Sequence, residues 1–249
     1  MLFRSSHPEK MKEASALVAS LGFDGIDINM GCPDRTVEKQ GAGAALIKSP
    51  ELAKELIRAV KDGAPNLPVS VKTRVGYSNR EIETWIPALL GEGLSALIIH
   101  ARTRKEMSKV PADWNDVKRV VEIRNEMKVE TLIVGNGDVK DLNEAKDRAE
   151  ESGADGVMLG RGIFGNPWLF CDSPREVSVD LRLKVMMEHT KLFEELFKGV
   201  KSFAVMKKHY KSYAEGFPGA RELRAELMEA KDSKEVETIV SSWIAKFRF

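Results

Sequence analysis

The chain has 249 residues, 43% of them hydrophobic and 31% charged, which supplies apolar material for one large core or two modest ones. Its 39 basic and 38 acidic residues leave a formal net charge of +1, so there is no global attraction to nucleic acid or to anionic membrane. Two cysteines exclude a disulfide framework, no apolar run approaches the roughly 18 residues of a membrane span, and MLFRSSHPEK lacks the features of a secretory signal, so an intracellular, cytoplasmic protein is expected.

Short β-branched or apolar runs alternate with amphipathic stretches as far as about Phe170, the pattern of repeated βα units. In chain order the predicted strands are a stub at Leu2 and Phe3, then Gly25 to Asn29, Val69 to Arg74, Ala96 to His100, Leu132 to Asn136 and Gly156 to Gly160. Three of the intervening stretches, Ser6 to Gly22, Ser49 to Gly63 and Asp138 to Gly153, open on an N-cap type and end in glycine, as helices between strands do. The strands are therefore expected to be parallel. Each long strand runs into polar or Gly-rich sequence (NMGCP, KTRVG, HARTR, GNGDV, GRGIFGNP), and α/β proteins place their chemistry at those C-terminal strand ends.

Past Pro174 only helical periodicity remains, which predicts a barrel-like domain over 1–173 and an all-helical domain over 174–249. The helical part carries 15 basic and 12 acidic residues. Between Leu196 and Ala214 it holds Lys198, Lys201, Lys207, Lys208 and Lys211 without an acid, interleaved with Phe197, Phe203, Tyr210 and Tyr213, a composition that suits an RNA-facing helix.

Cys32 lies just past a strand end, between Gly31 and Pro33, where a thiol meets a ligand. An ordinary thiol is mostly protonated at neutral pH and can act as a general acid. Cys171 follows PWLF and is expected to be core. Lys72 and Arg74 alternate with Val71 and Thr73, so both point to one face, the interior in a closed barrel, where two cations require an anionic or electron-rich partner. His100, followed by Arg102, adds to that set. The glycines of Gly135-Asn136-Gly137-Asp138 and Gly160-Arg161-Gly162, the second opening a helix, free backbone amides for a phosphate.

The ordered set NMGCP, VKTR, HARTR, GNGDV and GRGIFGNPW resembles the tRNA-dihydrouridine synthases, and MKKHYKSYAEGFPGARELRAEL is similar to their C-terminal RNA-binding bundle. The resemblance implies an FMN-dependent (β/α)8 barrel that reduces the C5–C6 double bond of uridine in tRNA, with NADPH recharging the flavin. It implies that Cys32 is the proton donor and that Lys72 and His100 contact the flavin. Asn136, Gly137, Asp138, Gly160 and Arg161 would lie around the flavin phosphate. Asn29, Arg74 and Arg102 would face the uracil, and Lys207, Lys208 and His209 the tRNA. No metal ligand set is visible. The alternatives are a catalytically inactive tRNA-binding relative and a flavin oxidoreductase acting on a small pyrimidine.

One departure from the family pattern is visible. The chain begins at the family's third strand, with Met1 in the place of a flavin-contacting Gln. About 173 residues, at roughly 30 per βα unit, make about six units where a closed barrel needs eight. The expectation is an N-terminally shortened barrel that binds FMN weakly unless the missing segment or a partner completes it.

Overall fold

Each apolar run becomes a strand in the computed structural model of the chain, which describes residues 1–171 and 177–247. The strands are β1 (Leu2–Phe3), β2 (Ile26–Met30), β3 (Val69–Arg74), β4 (Ala96–His100), β5 (Leu132–Asn136) and β6 (Gly156–Met158). Between them run α1 (Pro8–Ser20), α2 (Arg35–Lys39), α3 (Pro50–Gly63), α4 (Ile82–Leu90), α5 (Trp114–Glu126) and α6 (Leu142–Ser152). Every strand pairs in parallel with its predecessor in sequence, giving the sheet order β1-β2-β3-β4-β5-β6. This is the (β/α)-barrel arrangement of strand and crossover helix. Among the described residues no pairing joins β6 to β1.

Registration decides which residues share a face. Asn29 lies opposite Lys72, Lys72 opposite Ile98, Arg74 opposite His100, and His100 opposite Asn136. Side chains alternate along a strand, so these residues line one face and their neighbours Ile28, Val71, Ile99 and Ile133 line the other. The second set is fully buried under the helices. The helices fold as they do because their apolar residues recur every three or four positions. In α3 Ala53, Leu56, Ile57 and Val60 are buried, and in α5 Trp114, Val117, Val120 and Val121.

Two of the three expected caps shift, and Ser49 takes its expected place. Ser6 donates to the Gln40 carbonyl, and His7 takes the N-cap position of α1 without a side-chain bond. Ser49 caps α3 without a side-chain bond, and Asp141, not Asp138, caps α6 by accepting from Glu144 N. Gly153 ends α6 in the left-handed conformation, φ 72°, as a helix-terminating glycine does. β6 stops at Met158, so Gly160 lies outside the strand.

The chain divides into two compact units, Met1–Gly160 and Arg161–Phe249. The expected boundary at 173/174 lies outside the described residues. The second unit holds α7 (Val179–Phe197), α8 (Ala204–Tyr213), α9 (Ala220–Glu229) and α10 (Ser233–Phe247). They enclose a separate core of Leu183, Met186, Met206, Tyr210, Leu223, Leu227, Val236, Val240 and Trp243. No helix among the described residues is long and apolar enough to cross a membrane.

Candidate active site

Cys32 sits in the loop that follows β2, and its neighbours fix its position. The Asn29 carboxamide accepts from Gly31 N at 3.1 Å and from Cys32 N at 2.9 Å, folding the chain sharply at the strand end. Asn29, expected to face a substrate, thus spends its oxygen on the turn that presents Cys32. The Cys32 carbonyl accepts from Ala44 N at 3.0 Å. Gly43 closes this contact at φ +63°, and a Cβ there would lie 2.8 Å from the Cys32 carbonyl and 2.9 Å from Val37. The Cys32 side chain remains half-exposed.

The face beside it is polar and predominantly cationic. Lys72 donates to the Asn136 carboxamide oxygen at 3.0 Å, and Asn136 in turn donates to the Met158 carbonyl at 2.8 Å, which ties β3, β5 and β6 together. Burial, with Arg74 nearby and only partly offset by Asp27, pulls the Lys72 amine down to about 8. Arg74 is 5% exposed. It donates from Nε to the Gly31 carbonyl at 2.9 Å and from Nη1 to the carbonyls of Thr103 and Met107, both at 3.1 Å. Arg74 therefore braces the loops after β2 and β4, with Nη2 left over among the described contacts.

Arg102 is anchored within the fold. At 3% exposure it donates from Nε to the Val110 carbonyl at 2.6 Å, from Nη1 to His100 Nε2 at 3.0 Å, and from Nη2 to the Asp138 carboxylate. Each of the three nitrogens is engaged inside the fold, one N–H apiece, which fixes the plane of the guanidinium. Asp138 also accepts from Ala112 N at 2.8 Å, so one carboxylate oxygen ties the loop after β5 to the loop after β4. His100 is driven down to about 3 by burial and then by Arg74, Lys72 and Arg102, with Asp138 opposing, so its imidazole is neutral across the physiological range.

The two glycine motifs separate on inspection. A Cβ at Gly135 would sit 2.3 Å from the Trp114 ring, and one at Gly137 would sit 2.6 Å from the Ala112 methyl, so packing alone calls for glycine at both. At Gly160 a Cβ would meet nothing within 4 Å, so packing does not explain that glycine. Gly160-Arg161-Gly162 does not open an α-helix: only a 3-10 turn, Arg161–Ile163, follows. Arg161 falls in the second unit.

Sequence reading missed a cluster on the loops after β2, β3 and β4. Arg104 pairs bidentately with Glu38 of α2, Nε to Oε1 at 2.8 Å and Nη2 to Oε2, and its guanidinium lies 5.5 Å from the Tyr77 ring centre, with Lys48 at 4.3 Å from the same ring. Arg104, two residues past Arg102, carried the signal of its loop; Glu38 carried none. Two surface hollows, one near the start of β3 by Lys61 and Leu67 and one along α6, lie away from Cys32.

In the helical unit the segment from Leu196 to Ala214 is not one helix but the end of α7, a turn and α8. Tyr210 and Tyr213 are 1% and 4% exposed and belong to the core, which removes them as stacking platforms for bases. Lys208 and Lys211 are exposed, whereas Lys207 donates to the Met228 carbonyl. His209 packs against Phe164 and His189, ring centres 5.8 and 5.2 Å apart. Cys171, expected in a core, is exposed. No group of three or more metal-ligating side chains occurs among the described residues.

Comparison with known proteins adds a family to this geometry. The family model described as dihydrouridine synthase matches residues 3–247. The chain is 41% identical over 241 residues to a probable tRNA-dihydrouridine synthase of Staphylococcus aureus (strain MRSA252), covering 96% of this chain and 73% of that one. It is 40% identical over 242 residues to a probable tRNA-dihydrouridine synthase 2 of Bacillus subtilis (strain 168), covering 96% and 74%.

Proposed function

The chain belongs to the dihydrouridine synthase family, and from that premise we propose how its residues reduce the C5–C6 double bond of uridine in tRNA, with FMN as the bound cofactor and NADPH as the reductant. The observation that carries the reading is the arrangement of Cys32 beside one polar face that holds Lys72, His100 and Asn136.

That donor set fits a flavin. Lys72 is a largely desolvated cation whose hydrogen-bond partner is a neutral amide, so it suits a ring edge that is electron-rich and gains negative charge on reduction. His100 is neutral and keeps one N–H to donate. The phosphate end is assigned to the loops after β5 and β6, where Gly160 leaves the backbone open to close approach. Asp138 belongs to the first of these loops, with its carboxylate bonded to Arg102 and Ala112 N.

A flavin held by Lys72, His100 and the loops after β5 and β6 would provide the hydride chemistry needed at C6 of uracil. The charge then rests on C5 and the C4 carbonyl, and a proton is required at C5. Cys32 would donate that proton from its thiol, at a position set by the Asn29 turn and by the Arg74 bond to the Gly31 carbonyl. The target base leaves its stack to reach such a site, and the exposed lysines of α8 hold the surrounding tRNA.

The test is direct. The purified chain is supplied with excess FMN, its visible spectrum is recorded before and after desalting, and unmodified tRNA is then assayed for dihydrouridine with NADPH. Cys32→Ala is expected to keep the flavin spectrum and lose about 10²- to 10⁴-fold in turnover. Full turnover in the variant would remove Cys32 from the mechanism, and no flavin signal even in excess FMN would remove the cofactor.

A further inference from the structure

We infer that Arg102 is a positioning residue that holds His100 as the neutral imidazole protonated on Nδ1, so that Nδ1–H is the donor offered to a ring carbonyl in the site. The inference rests on the proposed function, because it names the group that His100 shows to the flavin or to the pyrimidine.

The geometry allows one assignment of the proton. A guanidinium has donors and no acceptor, so the 3.0 Å contact from Arg102 Nη1 to His100 Nε2 requires a lone pair on Nε2. A neutral imidazole then carries its proton on Nδ1, and an imidazolium, with N–H groups on both nitrogens, would set donor against donor. Arg102 cannot swing away to relieve such a clash. Val110 holds its Nε, Asp138 holds its Nη2, and Asp138 is itself fixed by Ala112 N in a left-handed backbone conformation, φ 59°.

The charges around the ring act in the same sense. Lys72 and Arg74 face it from β3, Arg102 from its own loop and Asp138 from the loop after β5, three cations against one carboxylate that Arg102 already neutralises. Burial and this imbalance keep the ring from protonating. His100 Nδ1 has no hydrogen-bond partner among the described residues, which leaves its proton for a ligand. Without Arg102 the ring would be free to carry its proton on Nε2, and the face would show a lone pair where it now shows a donor.

The experiment is a long-range proton–nitrogen NMR correlation on the nitrogen-15-labelled, ligand-free chain, with the His100 signals assigned by their loss in His100→Gln. The wild type is expected to show Nε2 unprotonated and Nδ1 protonated from about pH 5 to 8. Arg102→Met is expected to scramble the tautomer and let the ring titrate, and Arg102→Lys, which keeps a donor, is expected to restore the wild-type pattern in part. FMN affinity and the Michaelis constant for tRNA, measured on both variants, separate the two carbonyl sources. A roughly tenfold loss confined to FMN assigns the donor to the flavin, and one confined to tRNA assigns it to the base. A wild-type ring protonated on Nε2, or titrating near its ordinary value, would overturn the inference even if Arg102→Met failed to fold. An unchanged tautomer in folded Arg102→Met would do the same. A wild type with the expected tautomer that binds no FMN would sink the proposed function while leaving the role of Arg102 standing.

Discussion

Lys72 contributes a charge that the fold tolerates rather than needs. Its amine falls from 10.5 to about 8 on folding, so below pH 8 it is protonated in both states and the folded chain bears the full desolvation cost. Between about pH 8 and 10.5 the unfolded chain binds the extra proton, and stability from this group rises with pH. Lys72→Met is therefore expected to abolish that alkaline gain, on the order of 3 kcal/mol, and to leave the protein no less stable at pH 7, as read by urea unfolding at the two pH values. FMN affinity is expected to fall as pH rises through about 8 in the wild type, as the amine loses its charge, and to lose that dependence in Lys72→Met. His100 has the same arrangement of states and the same sign, in a lower pH window. Its folded value near 3 lies below the ordinary 6.5, so its contribution is complete above about pH 6.5 and is lost as pH falls toward 3.

The loop from Asn29 to Gly43 is the element on which the proton donor depends. Gly43 has no alternative: its φ is positive, and an added methyl would collide with the Cys32 carbonyl and with Val37. Gly43→Ala is expected to cost about 1–3 kcal/mol and to lower turnover by more than it lowers FMN affinity, measured by thermal unfolding and by flavin titration. The strands were legible because each β-branched run ends where its polar loop begins, and five of the six observed strands keep their expected ends or shift them by one residue. What escaped reading was partnership at long range. Nothing local marks Arg74 as a brace on three carbonyls, or assigns Asp138 to Arg102 and leaves the helix cap to Asp141. The Tyr210 and Tyr213 pattern reads equally as a stacking stripe or as a core stripe, because residues three apart share a helix face whichever way that face is turned. Cys32, Lys72 and His100 were legible as candidates because they stand at or near strand ends, where position alone carries information.

At the scale of the whole molecule, charge and core divide along the chain. The helical unit has its own apolar centre and exposes Lys208 and Lys211. Lys208→Glu with Lys211→Glu is expected to weaken tRNA binding, to reduce the salt dependence of the affinity by roughly one phosphate contact per lysine, and to leave the FMN spectrum unchanged. Filter binding across a salt series checks the first two and absorbance the third. The strict order of the sheet has a further consequence, for how the chain comes to be folded. Each strand pairs with the strand made just before it, so every strand pairing described can form as soon as the later of its two strands leaves the ribosome. Assembly can follow synthesis one βα unit at a time, with the helical core, drawn from a single later stretch, closing last and on its own.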